Sequence, residues 1–406
     1  MRNGIPRLAL MAMALAAALA AYWSARLSYA ALLYDRATPR TTQRSAALAP
    51  GNARYAMGWA QLAEAAGLGP AAAESLLHSV LRAHPGDSEA LIALGLRAEM
   101  RNDFASAERD LLEASRGDRG YNPRWALANY YFRRHDGPNF WKWARAASAM
   151  TSEPTPLFNL LWNYTGDGAE ILHRAIPDQP ALLRQYLYFL ISGPHWDAAA
   201  STASRILQRP QPDDTPALMA WCDRLLAAAR GPQALALWNA LARQNLIEFA
   251  PLDPARGPVN PAFETAPTGA GFDWHLAPAP GIEPSLDRPG LRLNFTGEEP
   301  EAWEPLWQYA PLEPSSSYRL TFQYATTAIA PASGLRWRVV DLTAQPAVLA
   351  QSESLSHQDW QTDSVLFQTP PPLRLARIDL SYRRTPGTVR IEGSIRLRNV
   401  TLERVH

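Results

Sequence analysis

Between Pro85 and Arg119 the chain carries a pattern that cannot fold by itself. Leu91, Leu94 and Ala98 recur at helical spacing, Arg101-Asn102-Asp103 breaks the run, and Ala107, Leu111 and Ala114 resume it. This spacing predicts two short antiparallel helices. Gly95 and Ala107 lack bulk where the two must approach, while the leucines supply the stripe they bury. A lone hairpin of this kind leaves one flank of its stripe in water, so it requires neighbours on both sides.

Those neighbours appear when the chain is read at intervals of 34 residues. Counting back from Pro85 places Ala73, Leu77 and Pro85 on the small, large and proline positions of an Arg54 to Asp87 unit, with Gln61 where glycine is usual. Counting forward places Trp125, Ala128, Asn129 and Phe132, with Pro123 suited to a first helical turn. The Leu91, Leu94, Gly95, Ala107, Leu111 and Trp125 set resembles the tetratricopeptide-repeat family. That resemblance implies a binding scaffold with a concave groove for a protein partner. Beyond Pro154 the interval is lost but helix pairs continue: Leu157 to Asn163 with Ala169 to Ala175, Pro180 to Ile191 with Trp196 to Leu207, and Thr215 to Ala229 with Pro232 to Leu246. Six stacked hairpins make an α-solenoid over residues 53–249. Within it Tyr130 and Tyr131 cannot both face one side. One of them, with Arg134, is the expected groove lining, and Pro85 to Arg119 reads as the spacer that sets the curvature.

Ahead of the helices, Arg2 and Arg7 precede an uncharged run from Leu8 to Ala25 that stops at Arg26. Eighteen residues at about 1.5 Å each just cross a hydrocarbon core. Two readings of residues 1–30 stay open. One is an uncleaved anchor, with Tyr22 and Trp23 at the interface. The other is a signal peptide cleaved at Ala18-Leu19-Ala20. Either exports the remainder if the N-terminus stays cytoplasmic, which gives a single-pass inner-membrane protein with a periplasmic bulk, or a secreted one. Residues 31–52, rich in Thr, Ser and Ala, read as a linker.

Composition removes several function classes. A net charge of +1 over 406 residues offers no reason to expect a nucleic-acid partner. Lys142 is the sole lysine, so no phosphate-binding Gly-Lys pair exists. Cys222 is the sole cysteine, which forbids an intramolecular disulfide and reads as a buried small apolar residue.

After a Pro-rich linker at 250–260 the periodicity changes from helical to alternating. Tyr318, Leu320, Phe322 and Tyr324 fall on one strand face, with Arg319, Thr321 and Gln323 on the other. Leu335, Trp337 and Val339 repeat this, as do Ile378, Leu380 and Tyr382. Val389, Ile391, Ile395 and Leu397 keep odd positions apolar, but Val400 and Leu402 switch to even ones, which predicts a bulge or turn near Arg398-Asn399. With strands around Leu291 to Phe295, Val348 to Gln351 and Val365 to Phe367, eight to ten strands make an antiparallel two-sheet sandwich over 261–406. The fold class is therefore two-domain, α-helical hairpins followed by an all-β sandwich.

Asn260-Pro-Ala-Phe-Glu264, then Trp274, Leu312-Glu313-Pro314 leading into Tyr318-Arg319-Leu320, Trp360 with Phe367, and the closing Ile395 to Leu402 resemble bacterial carbohydrate-binding jelly rolls of the galactose-binding type. The resemblance implies glycan contact and, in many members, a structural calcium at an early Glu. Glu264 matches that Glu, but Arg398-Asn399 stands where a second acidic ligand is required, so neither calcium nor any other cofactor is expected. For sugar binding, Trp303, Trp307 and Tyr309 are the candidate exposed platform, among Glu298, Glu299, Glu301 and Glu304. The alternative is that they cover a sheet edge. Eight arginines against Asp379, Glu392 and Glu403 after Pro371 make either a solvated face or an attractor for an anionic polysaccharide or lipid headgroup.

Catalysis finds little footing. No His-Glu-x-x-His, Gly-x-Ser-x-Gly or Gly-x-Gly-x-x-Gly occurs, and the histidines are scattered singly. Paired carboxylates for a glycan hydrolase would have to be Glu301 and Glu304, which read as members of a Pro-bounded loop. The sequence therefore points to an exported, membrane-tethered scaffold that holds a protein partner and contacts glycan, as in envelope or exopolysaccharide assembly. A scaffold with a purely structural sandwich is the alternative.

Overall fold

The structure, a computed structural model, describes residues 7–63, 66–288 and 290–405, with no side-chain description before Leu10. Arg2 and the side chains of Arg7 and Leu8 thus lie outside the described residues. Among the described residues fourteen α-helices precede eleven strands, and the chain divides into two compact units, Met1–Leu182 and Leu183–His406.

The first unit is built from helical hairpins: α1 (Arg7–Asp35) with α2 (Pro39–Leu48), α3 (Ala53–Leu62) with α4 (Pro70–Ala83), α5 (Ser88–Met100) with α6 (Phe104–Gly117), α7 (Tyr121–Arg133) with α8 (Gly137–Ser148), and α9 (Thr155–Thr165) with α10 (Gly168–Arg174). Short polar side chains start them. Asn52, Asp87, Asp103, Asp136 and Asp167 each accept a hydrogen bond from a backbone amide of the first turn, satisfying donors that a helix start leaves free. Within α5 and α6, Leu91, Leu94, Ala98, Ala107, Leu111 and Ala114 are all buried, as their spacing requires. Gly95 is the point of closest approach, since a Cβ there would stand 2.9 Å from Leu111 Cγ and 3.2 Å from the Ala107 carbonyl oxygen.

One expectation fails here. Residues 37–52 are not a loose tether but hold α2, started by Thr38 and Pro39, whose Thr42 and Ser45 turn inward. Ser45 Oγ donates to the Ala30 carbonyl at 2.9 Å, Arg26 Nε donates to the Leu48 carbonyl at 2.8 Å, and the Tyr34 ring meets Tyr55 at 4.8 Å. The last turns of α1 are therefore one side of a hairpin. Ala30 and Leu33 are buried, whereas every described residue from Leu10 to Ala25 is exposed.

The second unit begins within α11 (Pro180–Ile191) and continues with α12 (Trp196–Leu207), α13 (Thr215–Ala227) and α14 (Gly231–Arg243). Strands follow: β1 (Arg256–Gly257), β2 (His275–Leu276), β3 (Ile282–Leu286), β4 (Leu291–Thr296), β5 (Ala302–Ala310), β6 (Ser317–Thr327), β7 (Leu335–Asp341), β8 (Ala347–Gln351), β9 (Gln361–Gln368), β10 (Ala376–Arg383) and β11 (Glu392–Val405). They form two antiparallel sheets, β3-β4-β11-β6-β9 with β1 beside β11, and β2-β5-β10-β7-β8. Between them lies a core that includes Trp274, Tyr318, Phe322, Trp337, Leu380 and Leu397, the inward residues of the alternating runs.

The change of phase in β11 is a bulge, as expected. Its register with β6 shifts between Arg398 and Thr401, Asn399 takes φ 48°, and Ile395, Leu397, Val400 and Leu402 all reach the core. Val389 does not join them. It is 87% exposed in a turn closed by the Thr388 amide on the Thr385 carbonyl, before β11 begins.

The last helices pack on the sandwich within this unit. Asp223 accepts from the Gly271 amide at 2.6 Å, Trp238 meets Phe272 edge-on at 5.8 Å, and Gly231 lies against the Arg374 backbone with no room for a side chain. Cys222 is fully buried under them, and burial pushes its thiol well above its usual range.

Gly95→Leu is expected to wedge α5 from α6 and cost about 1–3 kcal/mol by overpacking, read as a lower Tm in thermal melts. An unchanged melt would contradict the close approach at Gly95.

Candidate binding site

The first helices of three consecutive hairpins in the first unit leave one face unburied, and together these faces form a groove of about 580 Å³. Helix α3 gives Met57 and Gln61, α5 gives Glu89, Ile92, Ala93 and Leu96, and α7 gives Asn122, Trp125, Ala126, Asn129 and Arg133. The groove's lining mixes apolar and polar side chains. Asn129 spends its amide N–H on the Trp125 carbonyl at 2.9 Å and keeps its own carbonyl as an acceptor. Arg133 is held by a two-pronged contact with both Glu99 oxygens, at 2.7 and 2.6 Å.

Tyr130 and Tyr131 do not line this groove. Both are almost completely buried, their rings edge to face at 5.1 Å, because each hydroxyl has a partner on α6: Tyr130 donates to the Phe104 carbonyl and Tyr131 to Glu108. Burial, and after it the Glu108 carboxylate, pushes both phenols above their usual range. Arg134 lies on the Phe104 ring at 3.8 Å. The signal for the true lining was present in the sequence, as Asn122, Ala126, Asn129 and Arg133 follow helical spacing beside the buried stripe. Likewise α5 is more than a spacer, because four of its residues line the groove.

In the second unit the sheet β2-β5-β10-β7-β8 carries the other candidates. Trp303, Trp307 and Tyr309 lie on β5 but make no exposed platform. The Trp303 indole donates to the Ala277 carbonyl and its ring packs on the core. The His275 imidazole lies parallel to the Trp307 ring, centroids 3.9 Å apart, and Arg377 stands over the same ring at 5.5 Å. Tyr309 meets both rings edge-on. Beside them Asp379, fully buried, binds Arg338 at 2.8 Å and Arg377 at 3.0 Å, and Arg338 reaches on to Glu304 at 2.8 Å.

The carboxylates that looked like a loop cluster are dispersed. Glu304 lies on β5 rather than in a loop, and Glu301 pairs with Arg384 at 2.8 Å. Glu299 is fully buried, where its oxygens accept from the Gly297 and Ile391 amides. Glu264 is exposed, and among the described residues no group of three or more His, Cys, Asp or Glu stands close enough to hold a metal ion.

No family model matches this chain, and neither does any curated protein. Solved structures are similar to it. One, described as "CBM4 structure and function", is 15% identical and covers 36% of this chain and 98% of its own, with a TM-score of 0.29. A second, TmCBM61 in complex with beta-1,4-galactotriose, is 18% identical over 36% of this chain and 96% of its own, TM-score 0.25. A third, YrrB, described as a TPR protein with an unusual peptide-binding site, is 11% identical over 51% of this chain and 94% of its own, TM-score 0.25.

His275 also reports on how the helices meet the sandwich. Its Nε2 is 3.1 Å from the Gly271 carbonyl, and Gly271 donates to Asp223. Burial holds the imidazole below its usual pKa and raises the Asp223 carboxyl. Because the folded histidine is harder to protonate than the unfolded one, its share of stability is complete above about pH 6.5 and is lost as the pH falls below that value. His275→Phe keeps a ring on Trp307 and removes the proton site. Between about pH 7.5 and pH 5.5 the Tm of the wild type is expected to fall further than that of His275→Phe. Parallel curves would show that His275 does not carry the effect.

Proposed function

We propose that this chain is a non-catalytic, membrane-tethered scaffold that takes an extended peptide segment of a partner protein in the groove of α3, α5 and α7. The observation that carries this is the groove itself. Its apolar lining residues Ile92, Leu96 and Trp125 suit side chains of a bound segment, and the amides of Gln61, Asn122 and Asn129 suit its backbone. Trp125→Ala with Leu96→Glu is expected to weaken a peptide selected from a displayed library by roughly tenfold or more, while the Tm moves little. Equal binding by the variant would place the partner elsewhere.

The tether is supported by α1, the one helix among the described residues long and apolar enough to cross a membrane. Its helical conformation continues through Ala18-Leu19-Ala20 into the turns that pack on α2. That favours an anchor over a cleaved leader. The proposed location is the inner membrane with the bulk outside the cytoplasm, and the expected result is digestion by protease added to intact spheroplasts. Digestion only after lysis would reverse the orientation.

We assign glycan contact to the sandwich, in cell-envelope or exopolysaccharide assembly, on the sequence marks from Asn260 to Glu264 and from Leu312 to Leu320. A purely structural sandwich is favoured by the Asp379 network, in which Arg338 and Arg377 pair with Asp379 and Arg338 also with Glu304. Glu301 and Glu304 are each committed to an arginine, which supports a non-catalytic reading.

A further inference from the structure

The outer face of the other sheet, β3-β4-β11-β6-β9, holds charges that its own residues do not neutralise. On β11, Ile395 and Leu397 point into the core, so Arg396 and Arg398 point out. The pairing registers show what surrounds them. Arg396 stands opposite Arg292 of β4 on one side and Ala325 of β6 on the other, and Arg398 stands opposite Gln323 of β6. Tyr324 pairs with Gln361, which brings Trp360, one residue before β9, alongside Ala325. Ala325 is small and buried, and across it the indole reaches β11. Arg398 lies over the Trp360 ring at 3.9 Å and Arg396 at 5.2 Å.

Among the described residues only Arg292, of the three arginines, has an acidic partner, donating twice to Asp287. Among the described residues no carboxylate is in salt-bridge range of Arg396 or Arg398. Arg398 spends its Nε on Gln323 Oε1 at 2.9 Å, and Asn399, in the bulge, donates to the same oxygen at 3.0 Å. The terminal nitrogens of Arg398 and the whole fork of Arg396 remain as donors. Two like charges two residues apart on one strand face, about 7 Å from each other, repel unless a ligand lies between them. Holding both against one indole fixes their planes and lowers the entropy lost when they grip an anion.

We propose that this face binds a carboxylate-bearing polysaccharide, a polyuronate, through Arg396 and Arg398 on their Trp360 support. Charge complementarity selects the carboxylate, because a guanidinium fork matches its two oxygens. The neighbouring amides of Gln323 and Asn399 suit sugar hydroxyls. The strip from Arg292 to Trp360 crosses three strand gaps of about 4.8 Å, long enough for a chain rather than a single anion. A nucleic acid fits less well, since base stacking needs an open ring face and Arg398 lies on this one. This inference rests on the glycan reading of the sandwich and deepens it by naming a substrate class and a face.

The test uses the full chain in detergent, with polygalacturonate, a neutral galactan and phosphatidylglycerol vesicles as probes. Polygalacturonate is expected to bind, more weakly as salt rises, and Arg396→Gln with Arg398→Gln to lose at least about tenfold in affinity. Arg396→Lys with Arg398→Lys keeps the charges but not the forks, and is expected to recover only part of that loss. Should the glutamine pair lower the Tm, the lysine pair carries the comparison. Equal polygalacturonate binding by the wild type and both pairs would overturn the proposal, as would vesicle binding that alone responds to the substitutions. Galactan binding without polygalacturonate binding would overturn it too, yet leave the broader glycan reading standing. Binding of neither would sink both.

Discussion

Close approach between paired helices is the constraint on which the first unit depends. Gly95 and Ala107 let α5 and α6 meet with almost no intervening side chain, so Leu111 packs directly on the α5 backbone. A helix so committed to its partner on one face cannot rotate to bury the other. The groove follows from this. Ile92, Leu96 and Trp125 stay partly exposed because α5 and α7 are already held by α6 and α8, and the adjacent polar residues Asn122 and Asn129 keep the surface wettable.

The two sheets of the second unit treat charge in opposite ways. On the β5 and β10 face Asp379 is wholly removed from water, and its desolvation is offset by Arg338 and Arg377, with Glu304 completing the balance. Desolvation and the paired carboxylates act in opposition on Arg338, and the net effect raises its pKa. Such a network orients its members. It fixes Arg377 near Trp307, whose ring is already stacked on His275. On the β11 and β6 face the arginines are supported by an aromatic ring instead of carboxylates, which orients them without cancelling their charge.

Periodicity made most of the fold legible. The alternating runs on β6, β7 and β10 and the phase change at Arg398-Asn399 all reappear as core faces and a bulge, because burial on one face leaves a sequence no freedom of register. What stayed hidden depends on partners distant in sequence. Tyr130 and Tyr131 looked like groove residues, since nothing local reveals that Phe104 and Glu108 wait for their hydroxyls. Trp307 looked like a platform, since His275 lies far from it in the chain. Residues 37–52 looked like a tether, since Ser and Thr favour turns unless a neighbouring backbone accepts from them, as the Ala30 carbonyl does from Ser45.

That misreading bears on how α1 would hold the first unit if it serves as the proposed tether. A flexible tether would let the groove point anywhere, but α1 passes from its exposed stretch into its packed turns as one helix. The packing ends where α2 ends, at the contact of Arg26 with Leu48, and the exposed apolar stretch begins there. The described part of that stretch, Leu10 to Ala25, is about 24 Å long, with Tyr22 and Trp23 near its end. Gly58 on α3 packs against the Tyr34 ring so closely that any Cβ would collide with it. Since α3 also supplies Met57 and Gln61 to the groove, the direction of α1 and the position of the groove's first wall are set by the same contact.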